Sequence, residues 1–343
     1  MTPLHPPHQC FIAAVAPVRL IYFCALVLVL GTATASARSD RIDLFPRLQA
    51  SQTITYRIAY HVQKQTKTQS SVSWAQTPAG PDINVQGLLR MDVLGVKAQG
   101  RRSTIVARTW FESFNLDAQT VPQGAPPTSN QIVSEGSRGI AIDFAVSPSG
   151  RIDQVQGLDA LSPDQQEGWQ RWATTFAAAA AFPADGIKLA QKWKSEEPEK
   201  SSSPIAGLIW RRDSTYLRNE PCSAAQLTMR GDVTNSSHAS ETESCAVIQT
   251  TATLKQKSSS KDATPEDFKL HRLRTSGAAG GTNKTLLYIS LTTGLVIRSS
   301  DQADQGMDVI ITKTDGSNHV RYAIHAKSNI EIFQIANSAL NNR

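Results

Sequence analysis

Apolar and polar residues alternate strictly along most of the chain beyond residue 50. Ile54, Ile58 and Val62 belong to one such stretch, in which every second residue is apolar and its neighbours are polar. A period of two places the apolar side chains on one face of a β-strand. Further strands are predicted over 83–93, 104–114, 140–146, 152–155, 207–217, 225–230, 246–254, 268–274, 286–291, 295–298, 307–313 and 319–333.

Turn-forming residues separate several of these stretches. Pro148-Ser149-Gly150, Thr292-Thr293-Gly294 and Asp315-Gly316 each join two predicted strands through a connection short enough for a hairpin. Strands joined in this way pair antiparallel, because parallel pairing needs a long crossover connection. We therefore expect a wide antiparallel sheet, and a sheet of this width usually curls, closes or splits into two layers.

One segment follows the helical period instead. Ser162-Pro163-Asp164-Gln165 combines an N-cap serine, a proline at the first helical position and a glutamine that completes a capping box. Pro183 ends the pattern. Between them lies an apolar stripe with spacings of three and four, formed by Trp169, Trp172, Phe176 and Ala180.

The predicted fold class is mainly β (α+β). We expect a large curved antiparallel sheet, or an incomplete barrel or sandwich, with one substantial helix over about 163–181 packed on one face. This helix divides the strands into two groups. The domain could therefore consist of two lobes, 41–160 and 183–335, joined by the helix.

The first residues have the composition of a secretory leader. Leu20–Leu30 is an unbroken apolar run of 11 residues, preceded by Arg19 and followed by the small-residue cleavage pattern Ala35-Ser36-Ala37. A membrane-spanning helix would need about 20 apolar residues. We predict a signal peptide at 1–37, a mature domain at 38–343, and a periplasmic or extracellular location. Membrane association is expected only through an uncleaved leader.

Two of the four cysteines, Cys10 and Cys24, lie within that leader. Cys222 and Cys245 remain, and a pair of cysteines in an exported chain predicts a disulfide because that compartment is oxidising. The alternative, a pair of metal ligands, lacks the C-x-x-C spacing or the neighbouring histidines of a zinc site. No metal and no cofactor is expected.

The charge is mildly basic, with a formal net charge of +6 over 343 residues. Lysines and arginines do not cluster into the stripe that is typical of nucleic-acid-binding proteins, so no nucleic-acid partner is expected. One face of the last predicted strand carries His319, Arg321, His325 and Lys327. The two histidines are about 20 Å apart along a strand, too far to share one metal ion. We interpret this face as solvated and basic, with weak anion contact as its one candidate activity.

Two short segments resemble catalytic motifs without meeting their requirements. In Gly277–Thr285 the lysine is displaced by two residues from its place in a phosphate-binding loop, and a strand follows instead of a helix. We predict a flexible loop there. Ser258-Ser259-Ser260-Lys261 matches S-x-x-K by chance in a polar loop that lacks the companion motifs. No catalytic residue is predicted.

Three short blocks stand out between about 140 and 315: Phe182-Pro183 with Ile187-Lys188 and Trp193, the preceding Ser149–Asp153, and the later Thr293–Val296. They resemble blocks shared by a family of uncharacterised exported bacterial β-sheet proteins, namely P…V-K-x-G-x-x-W, a strand–turn–strand block before it and T-G-L-V after it. Ala190 stands where the first of these has glycine. The layout is also similar to periplasmic lipoprotein carriers, which implies a curved half-barrel that cradles acyl chains; fold likeness alone assigns no residue a role.

Three functions are compatible with these patterns. The first is a non-catalytic binding module, in which the sheet and the helix enclose a pocket for a hydrophobic or lipid-like ligand. The second is a structural or protein-interaction module of the cell envelope. The third is a hydrolase whose catalytic residues are scattered in sequence, because catalytic triads are recognised by geometry.

Overall fold

The structure is a computed structural model that describes residues 41–70, 82–99, 102–120, 128–133, 139–199, 203–227 and 243–338. The predicted signal peptide at 1–37, with Cys10 and Cys24, lies outside the described residues and stays a prediction. Residues from Ile42 onward belong to one compact unit. Among the described residues, no helix has the length and apolar character needed to cross a membrane.

The described residues of this unit form twelve strands and three short or medium α-helices. The strands are β1 (Thr53–Ser70), β2 (Asp82–Gln99), β3 (Arg102–Thr120), β4 (Thr128–Val133), β5 (Ile142–Val146), β6 (Ile152–Gln156), β7 (Lys192–Pro198), β8 (Leu208–Pro221), β9 (Ser244–Gln256), β10 (Leu273–Ser290), β11 (Val296–Lys313) and β12 (His319–Ser338). The helices are α1 (Pro163–Phe176), α2 (Ala224–Leu227) and α3 (Glu266–Leu270), with 3₁₀ turns at Leu158–Ala160 and Ala178–Ala181.

All strand pairs are antiparallel and belong to one open sheet, so the predicted fold class is confirmed. The order is β6-β5-β3-β2-β1-β12-β11-β10-β9-β8-β7, and β4 adds to the end of β3. The chain therefore starts in the middle of the sheet, runs to one edge at β6, crosses to the opposite edge at β7 and returns to the middle. The last strand, β12, then pairs with the first, β1, along Thr53–Ser70 in the middle of the sheet.

This pairing joins the two predicted lobes edge to edge. Strands β1–β6 lie within 41–160, and strands β7–β12 lie within 183–338. β1 and β12 pair along the full length of β1. The division into two lobes joined by the helix stays a prediction.

The crossing segment contains the predicted helix, which ends earlier than expected. The capping box forms: the Gln165 backbone N–H donates to Ser162 Oγ at 3.3 Å, and the Ser162 N–H donates to Gln165 Oε1 at 3.1 Å. The α-helix stops at Phe176, and residues Ala178–Ala181 continue as a 3₁₀ turn. The aromatic stripe is buried against the sheet as predicted: Trp169, Trp172 and Phe176 are each at most 3% exposed.

The sheet must bend around this crossing segment. Phe144 on β5 contacts Phe176, and Trp193 on β7 contacts Phe182, with ring centroids 6.4 and 5.6 Å apart. A flat sheet would separate β5 from β7 by about 43 Å, at about 4.8 Å per strand. Six residues that include a 3₁₀ turn span only about 12 Å. The two ends of the sheet therefore curl toward the same segment.

Four local predictions were wrong. The segment 225–230, predicted as a strand, begins as helix α2, and 268–274 divides between helix α3 and the start of β10. The flexible loop predicted over Gly277–Thr285 is the middle of β10. The polar segment Lys194–Pro204 has the composition of a loop, and that prediction is also wrong because the segment begins within strand β7. Hydrogen bonds to β11, and from Gly281 onward also to β9, hold the backbone of Gly277–Thr285 extended. The composition of the segment gives no sign of this pairing.

Tyr56 is fully buried beneath α1, and its hydroxyl has no hydrogen-bond partner among the described residues. An unpaired buried polar group costs about 1–3 kcal/mol. Tyr56→Phe is therefore expected to raise the free energy of unfolding by about 1 kcal/mol, measured by urea denaturation. Tyr216→Phe is the matched control, because Tyr216 is equally buried but donates a hydrogen bond to Asn219, so that variant should lose stability.

The same substitution has a signature at high pH. Burial raises the pKa of the Tyr56 phenol, so the folded state favours its neutral form. The resulting stability is present below the unfolded pKa of about 10 and declines as the pH rises above it. Tyr56→Phe should decline less steeply with pH above that point. An equal decline in both proteins, or a loss of stability in the variant, would contradict this account of the hydroxyl.

Ala190 adopts a left-handed backbone conformation, with φ of 61°, at the position where the resembling block has glycine. Its N–H donates to the Tyr216 carbonyl at 2.8 Å, and its side chain is exposed. A non-glycine residue in this region carries about 1–2 kcal/mol of strain. Ala190→Gly is expected to stabilise the fold by about 0.5–1 kcal/mol, after the greater flexibility of glycine in the unfolded chain is subtracted. Thermal denaturation measures the effect, and Ala181→Gly, in the 3₁₀ turn, should instead destabilise.

Candidate functional site

A polar groove crosses five adjacent strands in the middle of the sheet. Its volume is about 610 Å³, and its walls come from β1, β12, β11, β10 and β9. Twelve polar or charged residues line it, and ten of them share one face of the sheet, two from each strand: His61 and Gln63, Lys327 and Asn329, Gln302 and Asp304, Thr282 and Lys284, Thr251 and Thr253. We call this feature the central groove.

Strand alternation places the central groove on the side of the sheet away from α1. Tyr60 on β1 and Ile330 on β12 belong to the apolar core that contains the helix. Successive side chains on a strand point to opposite faces, so His61 and Asn329 project to the other side. The burial of one face against α1 thus fixes which residues line the groove on the other.

The groove residues form two rows that run perpendicular to the strands. Residues that are directly opposite each other in an antiparallel pair lie on the same face, about 5 Å apart. The strand registers connect each row across all five strands. The first row is His61, Asn329, Gln302, Lys284 and Thr251, and the second is Gln63, Lys327, Asp304, Thr282 and Thr253.

Two acidic groups near the groove are each paired with a histidine. The Asp304 carboxylate lies 2.8 Å from His325 Nε2, and the Asp82 carboxylate lies 2.5 Å from His61 Nε2. Lys284 and Lys327 are exposed, and neither ammonium has a carboxylate within 4.0 Å among the described residues. Because the nearby acids are engaged by histidines, the two lysines are available to bind an external anion.

The disulfide lies on the same side of the sheet as the groove. Cys222 and Cys245 are bonded, which confirms the predicted pair, and both are fully buried. They pack with Val247 and Tyr288, which share the groove-facing side of β9 and β10. Cys222, Cys245 and Ala225 of α2 therefore pack on the apolar end of this face.

The basic face predicted on the last strand contributes only in part. Arg321 is paired with Asp308 through hydrogen bonds of 2.8 and 2.5 Å, and these bonds hold the pKa of the Asp308 carboxyl below its usual range. His325 is paired with Asp304. Of that predicted face, Lys327 alone lines the groove. The rows themselves were missed because they depend on strand register, for which the sequence carries no direct signal.

The site does not combine its histidines with a nucleophile. In the described part of the chain, His61 and His325 have carboxylate partners, and neither imidazole has a hydroxyl or thiol as a second hydrogen-bond partner. A nucleophile activated by histidine would need such a bond. Within the same ranges, no three His, Cys, Asp or Glu side chains gather closely enough to hold a metal ion. The arrangement is suited to binding through ammonium, amide and hydroxyl groups.

Comparisons with known proteins give no family. No family model and no curated protein matches the sequence. Among solved structures, the outer membrane protein OprG from Pseudomonas aeruginosa is 9% identical, covers 85% of this chain and 99% of its own, and has a TM-score of 0.17. A mutant of the Rh. blastica porin is 9% identical over 83% of this chain and 99% of its own, with a TM-score of 0.15. Similarity at this level carries no argument about function.

Proposed function

We propose that this chain is an exported, non-catalytic binding protein of the cell envelope, and that it holds a polar anionic ligand in the central groove. The observation that carries the proposal is the pair of lysines, Lys284 and Lys327, which lie in two rows of mostly amide and hydroxyl side chains and have no acidic partner within 4.0 Å in the described part of the chain. The leader pattern and the disulfide support the exported location, because disulfides persist in oxidising compartments.

The groove chemistry favours an anion over an apolar ligand. The hydrophobic or lipid-like ligand expected from the sequence would need a hollow apolar cavity between helix and sheet. Aromatic rings fill that space: Trp172 contacts Tyr56, Phe144 and Phe176 with centroid separations of 5.1–5.9 Å. A void beside the crossing segment measures about 10 Å³, no more than one water molecule needs. A lipid could engage the groove only through a charged headgroup.

Calorimetric titration of the mature protein with citrate and with inorganic pyrophosphate, at low ionic strength, tests the proposal. Each lysine is expected to contribute a charge-assisted hydrogen bond, so affinity should fall at least fivefold in Lys284→Gln or Lys327→Gln and further in the double variant. Lys64→Gln is the matched control. Lys64 neighbours Gln63 on β1, and strand alternation points its side chain to the opposite face.

Three results would decide between the alternatives. Equal affinity in the lysine variants and in wild type would mean that the groove is not the binding site. Absence of binding to either anion, together with uptake of a fluorescent fatty acid, would favour the hydrophobic ligand. An equal loss of affinity in Lys64→Gln would show that net charge, not the groove, governs binding.

A further inference from the structure

We infer that the ligand of the central groove is an extended acidic oligosaccharide that lies across the strands. The inference rests on the proposed function and adds the class and orientation of the ligand. Its basis is the spacing of the two rows, the separation of the two lysines and the position of Asp304 between them.

The dimensions of the groove suit a chain better than a compact anion. Five strands at about 4.8 Å per interval give each row a length of about 19 Å. Lys284 lies on β10 in the first row and Lys327 on β12 in the second, with β11 between them. Their backbones are therefore about 12 Å apart, from two strand intervals and a two-residue offset. Two separate anionic groups, one for each lysine, match this spacing.

The hydrogen-bonding groups between the two lysines are best complemented by hydroxyl groups on the ligand. Asp304 occupies β11 directly between β10 and β12, and an ionised carboxylate only accepts hydrogen bonds. A ligand group beside it must therefore donate. The flanking amides Gln302 and Asn329 and the hydroxyl of Thr282 can each donate and accept. A sugar hydroxyl also does both, so an alternation of acidic groups and hydroxyls along one chain satisfies the whole set.

Two other extended polyanions fit less well. An acidic peptide in extended form binds sheets by adding a strand at an edge, through main-chain hydrogen bonds, whereas the groove presents side chains on the face of central strands. A single-stranded nucleic acid needs aromatic side chains on which its bases stack. Among the described residues, no Phe, Tyr or Trp side chain lines the groove.

The test uses the mature protein and a length series of linear galacturonic acid oligomers, from the monosaccharide to the hexamer, titrated by calorimetry. Affinity is expected to rise with length until the chain spans the groove of about 19 Å, and then to level off. The methyl-esterified oligomers, which keep the hydroxyls and lose the charge, should bind at least tenfold more weakly. Lys284→Gln and Lys327→Gln should each weaken binding of the longer oligomers at least fivefold, while Lys64→Gln should not.

The outcomes separate this inference from the proposed function. If citrate binding depends on the two lysines but the galacturonate series shows no gain with length, the extended oligosaccharide is wrong and the anion groove stands. If polyglutamate binds more tightly than oligogalacturonate of equal charge, the partner is an acidic peptide. If esterified chains bind equally well, the lysines do not select charge and the inference fails. If no anion of any length binds, both proposals fall.

Discussion

Replacing Trp172 by alanine is expected to lower the free energy of unfolding by about 4 kcal/mol, the largest loss from any single substitution considered for this chain. Trp172 is fully buried at the centre of the helix–sheet interface and contacts Tyr56, Phe144, Trp169 and Phe176. Removal of the indole leaves a cavity beneath α1 that the surrounding rings can fill only in part. Urea denaturation with an unchanged m-value measures the loss.

The matched control is another tryptophan on the far side of the same sheet. Trp110 on β3 is only partly buried and lies under the Arg90 guanidinium, 5.3 Å from the ring centroid. Trp110→Ala should therefore cost about 1 kcal/mol, from the lost cation–π contact and modest burial. If both variants lose the same small amount, α1 is not packed against the sheet as a core element, and the groove-facing assignment of the opposite face loses its basis.

The second large effect concerns the disulfide. Replacement of both Cys222 and Cys245 by alanine is expected to destabilise the protein by about 3 kcal/mol, because the bond closes a loop with a sequence separation of 23 residues. The loss should be visible as a lower urea midpoint for the double variant in the absence of reductant.

Reduction of the wild-type protein serves as the control. A thiol reductant should lower the stability of the wild type toward that of the double variant and leave the variant unchanged. Mass mapping of the secreted protein without reductant should find the two cysteines linked. Two free thiols, or a variant as stable as the wild type, would contradict both the bond and the oxidising compartment proposed for this protein.

The local features of the fold were predictable because they depend on neighbouring residues. The capping box at Ser162, the aromatic stripe of α1 and the turn at Asp315-Gly316 are set by contacts within a few positions of the chain. The fold class was predictable for the same reason, because strands joined by short turns can pair only in the antiparallel direction. The disulfide was predictable because two of the four cysteines lie in the predicted leader, which leaves Cys222 and Cys245 as a pair.

The predictions failed where the local amino-acid composition favours a loop but pairing with distant strands forms a strand. The glycine-rich segment from Gly277 looks flexible in sequence, yet β11 and β9 hold it as a strand that supplies Thr282 and Lys284 to the groove. Gly277 itself sits where an added Cβ would meet the Asp308 carbonyl oxygen at 2.1 Å, at a φ of 146°. The absence of a side chain here permits close strand packing.

The sequence by itself determined most of the strands, the long helix α1 and the cysteine pair, since hydrophobic period, caps and turns act over a few residues at a time. Only the tertiary structure decided that β12 returns to pair with β1, and that Lys284 and Lys327 then face one groove with their potential acidic partners already bound to histidines. The physical reason is register. A shift of one residue in any of the five strands would turn its polar side chains to the buried face. The apolar contacts that prevent this shift involve α1 for β1 and β12, and two further apolar clusters for β9, β10 and β11.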